Sequence, residues 1–303
     1  MTITSTAETG AAGATIETGD FPFSSRFDFV RLRDFPLIPA LILGCVALVA
    51  IFANFLAPHN PEIGSLTARF KPPVWQTGGS TKYLLGTDQL GRDVLSRLIF
   101  GARVSMVVGF TAVIFAGAVG TTLGIISGYL GGWVDQVIMR LTDAWLAFPF
   151  LIVAIGLVTI LGPSLTNATV ALGVGATPTF TRLVRGLVLA AREEDYVRGA
   201  RALGAGDARV MRRHVLPNIA SAILVQATVS IPAAIIGEAI LSFLGLGVQP
   251  PEPSWGTMLN GAQQFLESAP WMAWWPGLAI FLLTLSFNLA GDGLRDALDP
   301  KEV

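Results

Sequence analysis

Long apolar stretches alternate with short polar ones along almost the whole chain. A helix that crosses a bilayer needs about 20 mainly apolar residues, and six runs meet that length, at roughly 36–57, 102–128, 136–161, 166–190, 218–247 and 272–291. The pattern predicts an all-α integral membrane protein with six transmembrane helices. Ahead of the first run lies a tail, residues 1–35. Its first 20 residues are rich in Thr, Ala and Gly and lack both basic residues and an apolar core, so disorder is expected there rather than a signal peptide.

Two polar stretches interrupt the apolar pattern at length. The first, residues 58–101, opens with Pro58, Pro61, Pro72 and Pro73 and should be irregular. From Asp93 onward, Val94, Leu95, Leu98 and Ile99 recur at helical spacing with Asp93 and Arg97 one turn apart, which predicts an amphipathic helix on the outer surface before the second span. The second, residues 192–217, mixes charges of both signs with apolar residues at helical spacing: Val197, Ala200 and Leu203 in one set, Val210, Met211, His214 and Val215 in another. Two short helices broken around Gly204 and Gly206 follow from this. Gly204 in the left-handed conformation closes the first, Asp207 caps the second, and Pro217 marks the start of the next apolar run. On pattern alone this stretch is either an ordinary loop or a docking surface.

Composition supports the membrane assignment. A chain of 303 residues that is 52% hydrophobic and 14% charged is too apolar for a soluble domain. With a net charge of −1 and dispersed basic residues, nucleic-acid binding has no support. The single cysteine, Cys45, has no disulfide partner and reads as packing. Lys and Arg set the orientation. If the N-terminus is inside, the inner segments hold Arg140, Arg182, Arg185, the arginines of 192–217 and Arg295, and two of the three outer loops hold none. The first outer loop, with Arg69, Lys71, Lys82, Arg92, Arg97 and Arg103, runs against the rule, which weakens for long folded segments. Both the 1–35 tail and the 292–303 end are therefore placed in the cytoplasm. Trp271, Trp274 and Trp275 then fall at the outer membrane interface, where indoles are common.

Asp88 and Asp93 lack the neighbours of a metal site and read as capping and salt-bridging residues, while Arg140 and Asp143 read as a mutual pair within the third span. Glu238 stands inside the fifth run with Ser242 one turn later and small residues around it. It either lines a polar pathway or hydrogen-bonds across a helix interface. Asn288 and Asp292 read as interhelical or interfacial contacts. Catalysis has little support: there is no GxxxxGK[ST] phosphate loop and no GxSxG elbow, and His59 and His214 fall on opposite sides of the membrane. What remains is transport, energised from outside this chain.

The segment ALGAGDARVMRRHVLPN resembles the cytoplasmic signature of permease subunits of binding-protein-dependent ABC importers. Arg198, Gly199 and Ala200 occupy the three leading positions, Gly204 is the motif's glycine, His214 stands where Ile is usual, and Leu216 and Pro217 form the ending. The leading Glu and first Ala of the pattern are replaced here by Arg198 and Gly199, so contacts that need the acidic group do not carry over. LGTDQLGRDVLSRLIFGARVSM and EAILSFLGLGVQPPEPSWGTML resemble the C-type subunits of the dipeptide, oligopeptide and nickel branch, and with NLAGDGLRDALDP the resemblance spans about residues 36–300. It implies a type I importer transmembrane domain with its permease core over 102–291. It implies four kinds of neighbour: a second homologous permease subunit, two cytoplasmic ABC ATPases carrying ATP and Mg, an external solute-binding protein and membrane lipid. No cofactor is expected on this chain. ATPase coupling is expected at Arg198, Gly199, Ala200, Gly204, Ala205, Asp207, Arg212, His214, Leu216 and Pro217, and the pathway at Glu238. The setting would be a prokaryotic cytoplasmic membrane and the cargo small peptides, with nickel or another small solute as alternatives. A stand-alone secondary carrier is the rival.

Overall fold

The computed structural model describes residues 36–298 and is almost wholly helical. The expected disordered tail lies outside the described residues, as do 299–303 at the far end. The first apolar run forms α1 (Leu37–Ile51) and the single turn α2 (Ala53–Leu56). Arg103 closes α1. Its Nε donates to the Ala50 carbonyl at 2.8 Å and its Nη2 to that of Ile51 at 3.1 Å, satisfying acceptors that a helix end leaves free.

The surface helix expected before the second span is not separate: one helix, α3 (Val94–Leu130), runs unbroken for 37 residues. Nothing between Phe100 and Ala102 breaks it, and Gly101 is where the Trp255 indole lies flush against the backbone. Asp93 caps it as expected, accepting from the Ser96 backbone N at 3.0 Å and the Ser96 hydroxyl at 2.6 Å. Both bonds fall on Oδ2, and Oδ1 has no hydrogen-bond partner. Arg97 turns instead to the Pro61 carbonyl at 2.9 Å and to Asp88 at 3.7 Å, and Asp88 also holds Arg92 at 2.6 Å. These buried pairs fold the 58–93 segment onto the end of the bundle where Trp271 donates to the Thr87 carbonyl at 3.1 Å. Trp271 is therefore buried in that contact and Trp275 packs edge-on against Trp75, leaving Trp274 as the exposed indole of the three.

The expected third span is two helices, α4 (Gly132–Leu146) and α5 (Phe150–Leu161), bent by 92°. Pro149 causes the break, since it lacks an N–H and keeps the residue before it out of the helical region. Asp143 of α4 pairs with Arg182 of α6 (Leu165–Ala191) at 2.6 Å rather than with Arg140. Three further helices follow: α7 (Asp195–Ala202), α8 (Asp207–Val210) and, after a π turn at Met211–Val215, α9 (Leu216–Phe243). The α8, π and α9 segments form one continuous helix, Asp207–Phe243. The fifth run ends at Phe243 rather than 247, in a turn closed by Leu246 and Gly247 N–H groups on the Leu241 carbonyl. The short α10 (Trp255–Ala262) then folds back on α9, and α11 (Trp271–Leu298) ends the described chain.

By length and apolarity, α3, the continuous Asp207–Phe243 helix and α11 each suffice to cross a membrane, and the bent α4/α5 pair makes a fourth. Of the other two expected spans, α1 has 15 residues, and α6 is long but punctuated by Thr, Asn and Arg. The most extensive helix pair is α3 with α6. Gly120, Gly124 and Gly128 line the α3 side one turn apart. A Cβ on Gly124 would fall 2.7 Å from the Val184 Cβ and 2.8 Å from the Thr181 carbonyl, and one on Gly128 would fall 2.9 Å from the Arg185 carbonyl. Absent side chains let the two backbones approach, the main source of helix affinity where lipid removes the hydrophobic drive.

Candidate functional site

The loop between α6 and α9 has its own small core. Val197 of α7, Val210 of α8 and Val215 of the π turn are fully buried against Tyr129 of α3, Val184, Val188 and Ala191 of α6, and Ile219 of α9. Ala200, Ala205 and Met211 complete it, so the loop is seated rather than free.

Local backbone chemistry shapes the seat. Gly204 takes φ +84°, as its place after α7 predicts, and the Gly204 N–H reaches the Arg201 carbonyl at 2.9 Å while the Ala205 N–H reaches that of Ala200 at 3.1 Å. These two bonds are the Schellman closure of a helix. The turn carries Leu203 out of the packed face that its spacing predicts: it is 91% exposed. Asp207 is not the cap of the next helix. Gly206 takes that place, and the Asp207 carboxylate accepts instead from the Tyr129 hydroxyl at 2.8 Å. At the far end Pro217 has no N–H to give the Arg213 carbonyl, and the helix widens to π pairing over Met211–Val215 just before it.

The remaining coupling residues divide between seat and surface. His214 and Leu216 are half-buried, and Pro217 is exposed. Arg198 is exposed and paired with Glu193 at 3.2 Å. Arg209, Arg212 and Arg213 are exposed and make no ion pair among the described residues. A Cβ added at Gly199, Gly204 or Gly206 would meet nothing within 4 Å, so internal packing does not require glycine there. The outward side thus offers an apolar tip at Leu203, bare backbone and free arginines. Two contributors escape a reading of the sequence: Leu203, whose spacing points inward, and Tyr129, whose only signal is its place just ahead of the Gly131–Gly132 break.

Glu238 sits far from this loop, near the α9 end that meets α10. It has no exposed surface: Oε1 accepts from the Ser242 hydroxyl at 2.7 Å, that hydroxyl accepts from the Val248 N–H at 3.0 Å, and Oε2 has no hydrogen-bond partner. Asn288 and Asp292 are exposed on α11. Among the described residues no His, Cys, Asp and Glu side chains group as a metal site would need.

Helices long and apolar enough to cross a membrane, packed through glycine, with a polar loop seated at one end, make a helical membrane protein. The chain belongs to the family of binding-protein-dependent transport system inner membrane components, whose family model matches residues 120–302. It is 48% identical over 265 residues to the dipeptide transport system permease protein DppC of Haemophilus influenzae, covering 88% of this chain and 90% of that one. To the protein of the same description from Escherichia coli K12 it is 51% identical, over 84% of this chain and 85% of the relative. The glutathione transport system permease protein GsiD of Pectobacterium atrosepticum is 45% identical, with 84% and 82% covered. Among solved structures, the MetNI methionine ABC transporter in an inward-facing form matches with a TM-score of 0.55 at 20% identity, over 68% of this chain and 98% of that one, which gives the type I importer fold.

Proposed function

We propose that this chain is the permease subunit through which an ATP-driven importer passes small peptides inward, and that loop 192–217 is where separate ATPases grip it. The observation that carries the reading is the half-finished loop: one side is buried in the subunit, and the other presents Leu203, backbone without side chains and three unpaired arginines. Partner ATPases with ATP and Mg, a second homologous permease and an external solute-binding protein complete the machine. In this assignment residues 1–35 and 292–303 are cytoplasmic, 58–101 face outward, and six spans cross the cytoplasmic membrane. Peptide cargo is supported by the dipeptide relatives at 48% and 51% identity, and the glutathione relative extends the expectation to peptide-sized solutes generally. Glu238 is assigned to the pathway as an ionisable side chain buried within the apolar α9 with Oε2 unpartnered.

Reconstitution tests this. Vesicles holding this chain alone should pass no peptide, and uptake should need the partner permease, ATPases, binding protein and ATP together. Flux through the chain alone would instead make it a secondary carrier. Gly199→Trp, at an exposed position where an added Cβ meets nothing within 4 Å, should block ATPase association. Unchanged association and hydrolysis would overturn the docking assignment.

A further inference from the structure

Three consecutive residues at the inner end of α3 are each bonded to a different element. The Ser127 hydroxyl donates to Asp135 of α4 at 2.5 Å, and that carboxylate also receives the Arg185 guanidinium of α6. The Gly128 carbonyl accepts from Arg192, just past α6, at 3.3 Å. The Tyr129 hydroxyl donates to Asp207 of α8 at 2.8 Å and accepts from Arg201 Nε of α7 at 3.2 Å, while the Arg201 guanidinium lies 4.8 Å from the Tyr129 ring centroid. The Tyr129 side chain is thus held by both halves of the loop at once, and it is itself 5% exposed. Behind it, the Gly120, Gly124 and Gly128 contacts lock α3 to α6.

We infer that Tyr129 is the positioning residue that joins the loop to the α3/α6 pair, so that displacement of the loop drags those helices rather than sliding past them. The inference rests on the reading of loop 192–217 as the ATPase grip. Apolar packing of Val197, Val210 and Val215 keeps the loop close but fixes no direction, because such contacts tolerate sliding. A charge-assisted bond to Asp207, a second bond from Arg201 and stacking over the ring do fix direction. The joint also spans the Gly204 turn, since Arg201 precedes it and Asp207 follows it.

The test uses the full complex with its partner permease, ATPases and binding protein in proteoliposomes, reading peptide imported per ATP hydrolysed. Tyr129→Phe keeps the ring and its stacking but removes both hydroxyl bonds. Peptide imported per ATP should fall about tenfold while the ATPases still copurify and hydrolyse. In a cycle with Asp207→Ala, the double variant should be no worse than the poorer single one, as expected of partners in one bond. Wild-type uptake per ATP in Tyr129→Phe, or additive losses in the cycle, overturns the inference. If Tyr129→Phe fails to assemble, Arg201→Gln reads the same joint without altering α3, and wild-type coupling there overturns it equally. Failure of the grip reading looks different, because Gly199→Trp would then leave ATPase association intact.

Discussion

Leu203→Ala separates a surface that waits for a partner from one that is only exposed. The side chain is 91% exposed and sits at the closed end of α7, outside the small core that holds the loop. Truncation removes three carbon groups. At about 0.8 kcal/mol for each methylene buried on association, the loss is about 2.4 kcal/mol if a partner covers the whole side chain. With tenfold per 1.4 kcal/mol, ATPase affinity should weaken about 50-fold. The subunit itself should not notice, because exposed positions change stability by less than about 0.5 kcal/mol. The assay is therefore paired: titration of purified ATPase subunits onto the permease pair in nanodiscs, and thermal unfolding of the same preparation without ATPases. Unchanged affinity would refute the reasoning, as would an affinity loss accompanied by an equal loss of subunit stability.

Three other outcomes are expected. Gly124→Ala forces a Cβ to within 2.7 Å of Val184 and 2.8 Å of the Thr181 carbonyl, so the α3/α6 pair should lose about 1–3 kcal/mol, read as a lower midpoint of thermal unfolding in detergent. Asp93→Ala removes the cap of α3 and should cost about 0.5–2 kcal/mol by the same measure, with faster protease cleavage in the 58–93 segment. Glu238→Gln retains an acceptor for Ser242 whereas Glu238→Ala leaves that hydroxyl's proton without its acceptor, so Ala should be the less stable of the two. Both should lower peptide uptake, and full uptake in both would remove Glu238 from the pathway.

The sequence was most informative where backbone chemistry alone decides the outcome. Gly204 in the left-handed region, Asp93 as a cap and Pro217 at the head of α9 all follow from what those residues permit locally. It was least informative where a partner is distant in sequence. Asp143, Arg97 and Asp207 each had a plausible neighbour or role one turn away, yet each pairs with a group 36 to 78 positions off. Helical spacing says which residues share a face but not which face another element covers, and so it places Leu203 with Val197 although Leu203 is exposed and Val197 buried. Pro149 was visible throughout, but apolar residues on both sides of it masked the 92° bend. The bonds of Tyr129 to Arg201 and Asp207 join residues 72 and 78 positions apart, which no spacing reveals.

The helix from Asp207 to Phe243 is one member of 37 residues. At 1.5 Å per residue it measures about 55 Å, against roughly 30 Å of hydrocarbon. The excess of about 25 Å is taken up by tilt or by projection beyond the hydrocarbon, and the two ends carry different parts: the loop at one, the Glu238 and α10 corner at the other. A tilt of about 5° about one end sweeps the other through about 5 Å over that length. In the proposed importer a push on the loop would reach the opposite end only as far as the π turn at Met211–Val215 and the internal Pro232 pass it on, so both breaks lie on the line of force.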